Sequence, residues 1–284
     1  MEKSKKSDRK PLFVLKVYKR HILFLLALII TAGLGYASYF RRYMVLPQST
    51  INVLQEAPFA LKNSKVLIFA PHCDDETLGS GGLIQEAIKQ NSNVKVVITT
   101  DCNYHKNGQT RKGETISALK TLGLNQNSVS FLDFPERGDK VAKNLQEGEK
   151  IKTAISSEIS DFGPNLVIFP HPQDTHVDHA TVGRLGEEVT NGKSDYTVAY
   201  YLIHYNFLRF PSPSGLRPSN YLLPPAVLIN FTDRWYKFSL TQEEEDAKED
   251  ATGEYRSQLK STNPVLYRIL YDFVRKNELF MIRS

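Results

Sequence analysis

From Lys65 onward the chain repeats one pattern: a short apolar run, a polar turn, then a stretch whose apolar residues fall at helical spacing. The runs KVLIFA (Lys65 to Ala70), VKVVITT (Val94 to Thr100), SVSFLDF (Ser128 to Phe134), NLVIFP (Asn165 to Pro170) and TVAYYLI (Thr197 to Ile203) are rich in β-branched and aromatic residues. Such side chains pack well on a pleated surface, so these runs predict strands. Between them, Leu78 to Lys89, Arg111 to Leu122, Leu145 to Ile159 and Ala180 to Val189 have the spacing of helices. The alternation implies βαβ units, and so an α/β fold with a Rossmann-like, mostly parallel sheet sandwiched by helices.

Past His204 the texture changes. FPSPSGLRPSNYLLPPAV (Phe210 to Val227) is Pro-rich and predicts an irregular loop, and VLINFT (Val227 to Thr232) a possible strand. TQEEEDAKEDATGEYRSQLKS (Thr241 to Ser261) predicts a helix capped by Thr241, with its acidic run as a solvated face. No internal repeat is present.

The N-terminus carries a run of another kind. Ile22 to Phe40 holds nineteen residues without a charge, close to the ~20 that a helix needs to cross a hydrocarbon core of ~30 Å. Ten Lys and Arg fall within residues 1–50, eight of them before this run and two, Arg41 and Arg42, after it. By the positive-inside rule, residues 1–21 are a cytoplasmic basic segment, 22–40 a transmembrane anchor, 41–62 a linker, and 63–284 an exported catalytic domain. A cleaved signal peptide and a buried core helix are the alternatives, although a signal's apolar core is usually shorter, about 7–15 residues, and a core helix would show a polar face. The chain is +5 overall; residues 1–50 alone are +8, which leaves the remainder at −3. A slightly acidic main domain argues against nucleic acid as a partner, since binding phosphates needs a basic face.

Two cysteines, Cys73 and Cys102, rule out a zinc finger or a disulfide framework. Each follows an apolar run. In an oxidising compartment they can pair if those runs are adjacent strands, and otherwise they stand as free thiols.

The chemistry concentrates in two loops. His72, Asp74, Asp75 and Glu76 follow the first strand within PHCDDETLGSGG, and His171, Asp174, His176, Asp178 and His179 follow the fourth within HPQDTHVDHATVG. In an open α/β sheet, ligands bind outside the carboxyl ends of strands. Carboxylates crowded there repel one another and lose hydration, so some must be neutralised by protonation, by a cationic histidine or by a cation, and a metal does this best. Imidazole with carboxylate is a ligand set for catalytic zinc, and one that Fe2+, cobalt or manganese also accepts. No Gly-x-Ser-x-Gly elbow or phosphate-binding Gly-Lys-Ser/Thr loop occurs, which sets aside serine hydrolases and P-loop enzymes. His204, His105 and Asp101 sit at other strand ends as weaker candidates. Trp235, with the many Tyr and Phe beyond Tyr200, reads either as core or as a sugar-stacking groove.

These two motifs resemble those of the PIG-L/LmbE-type zinc-dependent N-deacetylases, which act on N-acetylglucosamine conjugates and related amides. RKGETISALKTLG (Arg111 to Gly123), FLDFPERG (Phe131 to Gly138) and AKEDATGEYRSQ (Ala247 to Gln258) echo the same family more weakly. The resemblance implies zinc held by His72, Asp75 and His179, with Asp74 as general base. It places a protonated His176 against the developing oxyanion and makes Asp178 the partner that orients His176. It implies sugar contacts for Arg111 and Glu136, the latter standing where Asp is commoner in the family. The implied reaction removes an N-acetyl group from a sugar conjugate. A metallophosphoesterase-like hydrolase and a non-catalytic carbohydrate-binding protein are the alternatives.

Overall fold

A computed structural model of the chain describes residues 18–136, 145–205, 210–211, 220–259 and 270–283. The basic residues from Lys3 to Lys16, Gly138 of the FLDFPERG motif, residues 212–219 of the Pro-rich loop and the end of the acidic segment after Leu259 lie outside them. The chain divides at Met44/Val45 into two units.

The first unit is helix α1 (Lys19–Tyr43). Its stretch Lys19–Phe40 is twenty-two residues long, about 33 Å at the α-helical rise, which is long and apolar enough to cross a membrane. Its apolar side chains, Leu23, Phe24 and Leu34 among them, are exposed.

The second unit is built on an eight-stranded sheet. Its strands are β1 (Gln55–Glu56), β2 (Lys65–Ala70), β3 (Asn93–Thr100), β4 (Val129–Phe134), β5 (Leu166–Pro170), β6 (Thr197–Tyr201), β7 (Asp233–Ser239) and β8 (Asn277–Arg283). Their order is β1-β7-β8-β6-β5-β2-β3-β4. Neighbours from β6 through β4 all pair in parallel, whereas β8 runs antiparallel to both β6 and β7. The sheet is therefore mostly parallel, as the alternating pattern implied.

Helices cover both faces. Helices α2 (Asp75–Lys89) and α3 (Gly108–Thr121) lie on one side with α6 (Gln242–Gly253), and α4 (Leu145–Phe162) and α5 (Val177–Thr190) lie on the other. A short α7 (Arg256–Leu259) follows α6. With both faces covered, β5 is buried along its whole length and β2 from Val66 onward. Phe69 and Phe169 stack across this pair with ring centroids 4.8 Å apart. Close packing also explains Gly183: a Cβ there would stand 2.5 Å from the carbonyl oxygen of Pro170, so α5 can rest on the end of β5 only with glycine at that point.

Two expectations change. VLINFT does not form a strand: Ala226–Leu228 is a 3-10 turn, and the strand begins at Asp233. The acidic run on α6 is not simply a solvated face, because Glu244, Glu245 and Lys248 are buried.

Cys73 and Cys102 form a disulfide with Cα atoms 5.8 Å apart, joining the loop after β2 to the loop after β3. It closes 29 residues of chain, a length for which the lost freedom of the unfolded state corresponds to about 3.6 kcal/mol. A C73S/C102S variant is expected to show an unfolding free energy lower by about that amount in urea titrations.

Candidate active site

The parallel strands run β4-β3-β2-β5-β6, so the winding reverses between β2 and β5. At such a switch point the loops after two neighbouring strands part and leave a crevice. The loop after β2 presents His72, Asp74 and Asp75 there; the loop after β5 and the first turn of α5 present Asp174, His176, Asp178 and His179.

Three of these side chains meet at one point. Asp75 Oδ2 lies 3.2 Å from His72 Nδ1 and 3.1 Å from His179 Nε2, and the two ring nitrogens are 3.2 Å apart. Zn–N and Zn–O bonds of about 2.0–2.2 Å in a tetrahedral site hold neighbouring ligand atoms about 3.3 Å apart, so this triangle has the size that one ion requires. The outward ring nitrogens face carboxylates: His72 Nε2 is 2.9 Å from Asp178 Oδ2, and His179 Nδ1 is 3.3 Å from Asp174 Oδ2. Carboxylates behind two imidazoles fix which nitrogen points inward and raise its basicity, as in metal sites generally. The donor set, its spacing and its outer partners fit a divalent ion.

The electrostatics agree. Burial favours a neutral His72, yet Asp178 and Asp75 push its pKa up to about 9. Burial likewise opposes charge on His179, and Asp75 and Asp174 still hold it well above the usual imidazole range. Burial raises the Asp75 carboxyl, but His179 and His72 keep it well below the usual carboxylate range. The pocket thus demands positive charge against its carboxylates. Asp174 accepts from the backbone N–H groups of His176 (2.8 Å), Ile203 (3.1 Å) and His204 (2.9 Å), which lock it beneath His179.

Asp74 stands beside this centre. Burial and the charge of Asp75 push its pKa up to about 7, with Arg111 opposing. Arg111 Nη2 lies 3.7 Å from Asp74 Oδ2 and donates to the carbonyl of Cys73 at 3.4 Å, while Nη1 reaches both oxygens of Glu136 at 3.4 Å. Glu136 also accepts from the N–H of Tyr104 and lies 3.9 Å from His72 Nε2. Arg111 and Glu136 are thus brought to the same wall.

Several sequence expectations are corrected. Asp178 does not orient His176: its Oδ2 is 4.0 Å from His176 Nδ1 against 2.9 Å from His72. Nor is His176 held protonated, since burial together with His72 and His179 lowers its pKa to about 4. Its ring packs edge-on to His72 with centroids 4.7 Å apart. His171 lies off the site, stacked on buried Trp235 with centroids 5.4 Å apart. Asp101 ties loops together by accepting from the N–H groups of Asn103 and Glu136, and His105 packs on Tyr104. His204 joins the cluster, with Nδ1 3.5 Å from Asp174 Oδ1 and its ring 4.7 Å from that of His179. The role of Asp174 behind His179 was missed; an acid two residues before His176 was its only signal.

The family described as PIG-L, GlcNAc-PI de-N-acetylase, matches residues 67–190, which contain both loops. The chain carries a PIG-L family domain. Its fold is shared with a deacetylase–bog complex from the biosynthesis pathway of teicoplanin, at 18% identity over 78% of this chain and 99% of that one with a TM-score of 0.58. The zinc-inhibited form of teicoplanin deacetylase is similar at 18% identity over 78% and 99%, TM-score 0.56. The N,N'-diacetylchitobiose deacetylase of Pyrococcus horikoshii is similar at 19% identity over 84% and 94%, TM-score 0.53.

Two measurements follow from this PIG-L geometry. Asp178→Asn is expected to weaken zinc binding by about 10–100-fold in a competition titration. His176→Ala should leave it within a few fold, and a large loss there would make His176 a ligand. The second concerns His171, whose burial lowers its pKa from 6.5 to about 4. The unfolded chain binds that proton more readily, so stability is full above pH 6.5 and falls as the pH drops toward 4. Across that window His171→Gln should gain on the wild type by up to about 3 kcal/mol in urea unfolding.

Proposed function

We propose that this protein is a metal-dependent N-deacetylase that removes the acetyl group from an N-acetylglucosamine-type sugar conjugate. The observation that carries the reading is the triangle of His72 Nδ1, Asp75 Oδ2 and His179 Nε2, with sides of 3.1 to 3.2 Å and Asp74 beside it. His72, Asp75 and His179 hold the ion, zinc or another divalent metal such as Fe2+. When bound, it supplies a Lewis acid for an amide carbonyl and lowers the pKa of water toward ~7.

Asp74 accepts the proton of the attacking water and returns it to the departing nitrogen, so that acetate and a free amine result. His176, partly exposed at the mouth of the site, donates an N–H to the oxygen on which negative charge develops. A neutral imidazole retains one such donor, so the low pKa of this ring does not remove the role. Asp178 acts through His72 instead. Arg111 and Glu136 meet the sugar, with Arg111 also holding Asp74 in place.

The fold neighbours named for deacetylation of teicoplanin and of diacetylchitobiose support a glycoconjugate substrate. Nucleic acid is not a partner under this reading. Helix α1 serves as a single N-terminal membrane anchor, with the N-terminus cytoplasmic and the domain from residue 63 outside the membrane on the extracytoplasmic side. The Cys73–Cys102 disulfide supports that placement, because such bonds persist in oxidising compartments.

The test is acetate release from a panel of N-acetylated sugars by the detergent-solubilised full chain. Activity is expected to vanish with a chelator and return with metal. Asp74→Asn should bind zinc normally yet lose at least about 100-fold in kcat. Wild-type turnover by that variant would sink the assignment, and phosphate release from phosphodiesters in place of acetate would favour the metallophosphoesterase reading.

A further inference from the structure

Three side chains from the later part of the chain grip the segment that carries the candidate ligands. Gln258 Nε2 donates to the carbonyl of Cys73 at 2.9 Å. Tyr255 Oη donates to Glu76 Oε1 at 2.6 Å and lies 2.7 Å from the hydroxyl of Thr77. Lys248 Nζ donates to the carbonyl of Leu78 at 2.8 Å. All three belong to the AKEDATGEYRSQ stretch noted in the sequence, which lies outside residues 67–190 and has no part in the chemistry above.

The segment needs this support because α2 is not one regular helix. Ser80 has φ −145° and ψ 16°, which divides the turn bearing Asp75 and Glu76 from the rest. In an unbroken helix the Gly82 N–H would donate to the Leu78 carbonyl. Here a buried ion pair stands at both ends of that link. Lys248 takes the Leu78 carbonyl, and Glu278 accepts from the N–H groups of Gly82 (2.7 Å) and Leu83 (3.0 Å). Lys248 Nζ and Glu278 Oε1 are 2.6 Å apart, each side chain 1% exposed. A lone buried pair is weak grounds for a role beyond folding. Three separate grips on residues 73–78, flanking Asp74 and Asp75 on both sides, are not.

We propose that Lys248, Tyr255 and Gln258 form a brace that fixes where Asp74 and Asp75 present their carboxylates, making them positioning residues of the metal centre. The inference rests on the metal-centre reading above. The brace acts on the backbone and on the side chains of Glu76 and Thr77, and so reaches the ion only through the ligands of that segment, His72 and Asp75.

The test measures zinc affinity of the full chain against a chromophoric chelator for the wild type, His179→Ala, Gln258→Ala, Tyr255→Phe and Ile155→Ala. The last removes a buried side chain of α4 and serves as a destabilised control. Gln258→Ala and Tyr255→Phe are each expected to bind zinc about tenfold more weakly. Ile155→Ala should melt at a lower temperature yet keep wild-type affinity, an outcome that a purely structural role would give for every variant. Folded Gln258→Ala and Tyr255→Phe proteins with wild-type affinity would overturn the brace while leaving the metal centre intact. If Tyr255→Phe does not fold, Gln258→Ala decides, since Gln258 is half-buried and that bond is to a backbone carbonyl. Should His179→Ala bind zinc as tightly as the wild type, the metal-centre reading fails and the brace with it.

Discussion

One carboxylate oxygen between two imidazoles organises this domain. Asp75 Oδ2 sits within 3.2 Å of His72 Nδ1 and His179 Nε2, and all three residues are buried. A carboxylate buried among other carboxylates is unfavourable by several kcal/mol unless a positive charge is fixed beside it. The surrounding structure meets that condition: two histidines pushed toward the cationic form, each backed by its own carboxylate, and Arg111 against Asp74. A site with such charges and donors could hold a divalent ion.

The fold brings this about by bringing together loops that are far apart in sequence. Asp75 and His179 are over one hundred residues apart, yet β2 and β5 are direct neighbours at the point where the winding reverses. Gly183 lets α5 rest on the end of β5, which sets the height of the turn carrying Asp178 and His179. The disulfide pins the loop after β2 to the loop after β3, and the Cys73 carbonyl between His72 and Asp74 receives Arg111 and Gln258. Each restraint acts on backbone rather than on the ligands themselves, leaving the carboxylates and imidazoles free to bind.

Much of this was legible in the sequence, and what was not has a physical reason. The β-branched runs from Lys65 to Tyr201 marked five strands nearly to the residue, because parallel strands buried on both faces admit few polar side chains. They also placed the two motifs at strand ends, while the set His72, Asp75 and His179 came from the family resemblance and the pairing of β2 with β5 from the structure. Spacing could not say which ring nitrogen faces which carboxylate. Asp178 lies two residues from His176 in sequence but reaches His72 across the crevice, a matter of rotamer and helix direction. Strand β7 was missed because Asp233–Ser239 mixes charged and aromatic residues, a weaker signal than a continuous apolar run. Lys248 and Glu244 read as solvated because charged side chains usually are; their burial depends on partners, Glu278 for one, that no local pattern reveals.

The same accounting bears on what the site can accept. Arg111 is the arginine held against Asp74 and Glu136, so its charge is already balanced by two carboxylates. A phosphodiester entering this crevice would bring further negative charge to a wall that holds Asp74, Glu136 and Asp178. An amide enters uncharged, and the amine it leaves behind takes up a proton beside those same carboxylates. The wall is thus better matched to a neutral substrate that becomes a cationic product than to an anion. The distribution of charge therefore agrees with deacetylation on grounds independent of the family and of the fold neighbours.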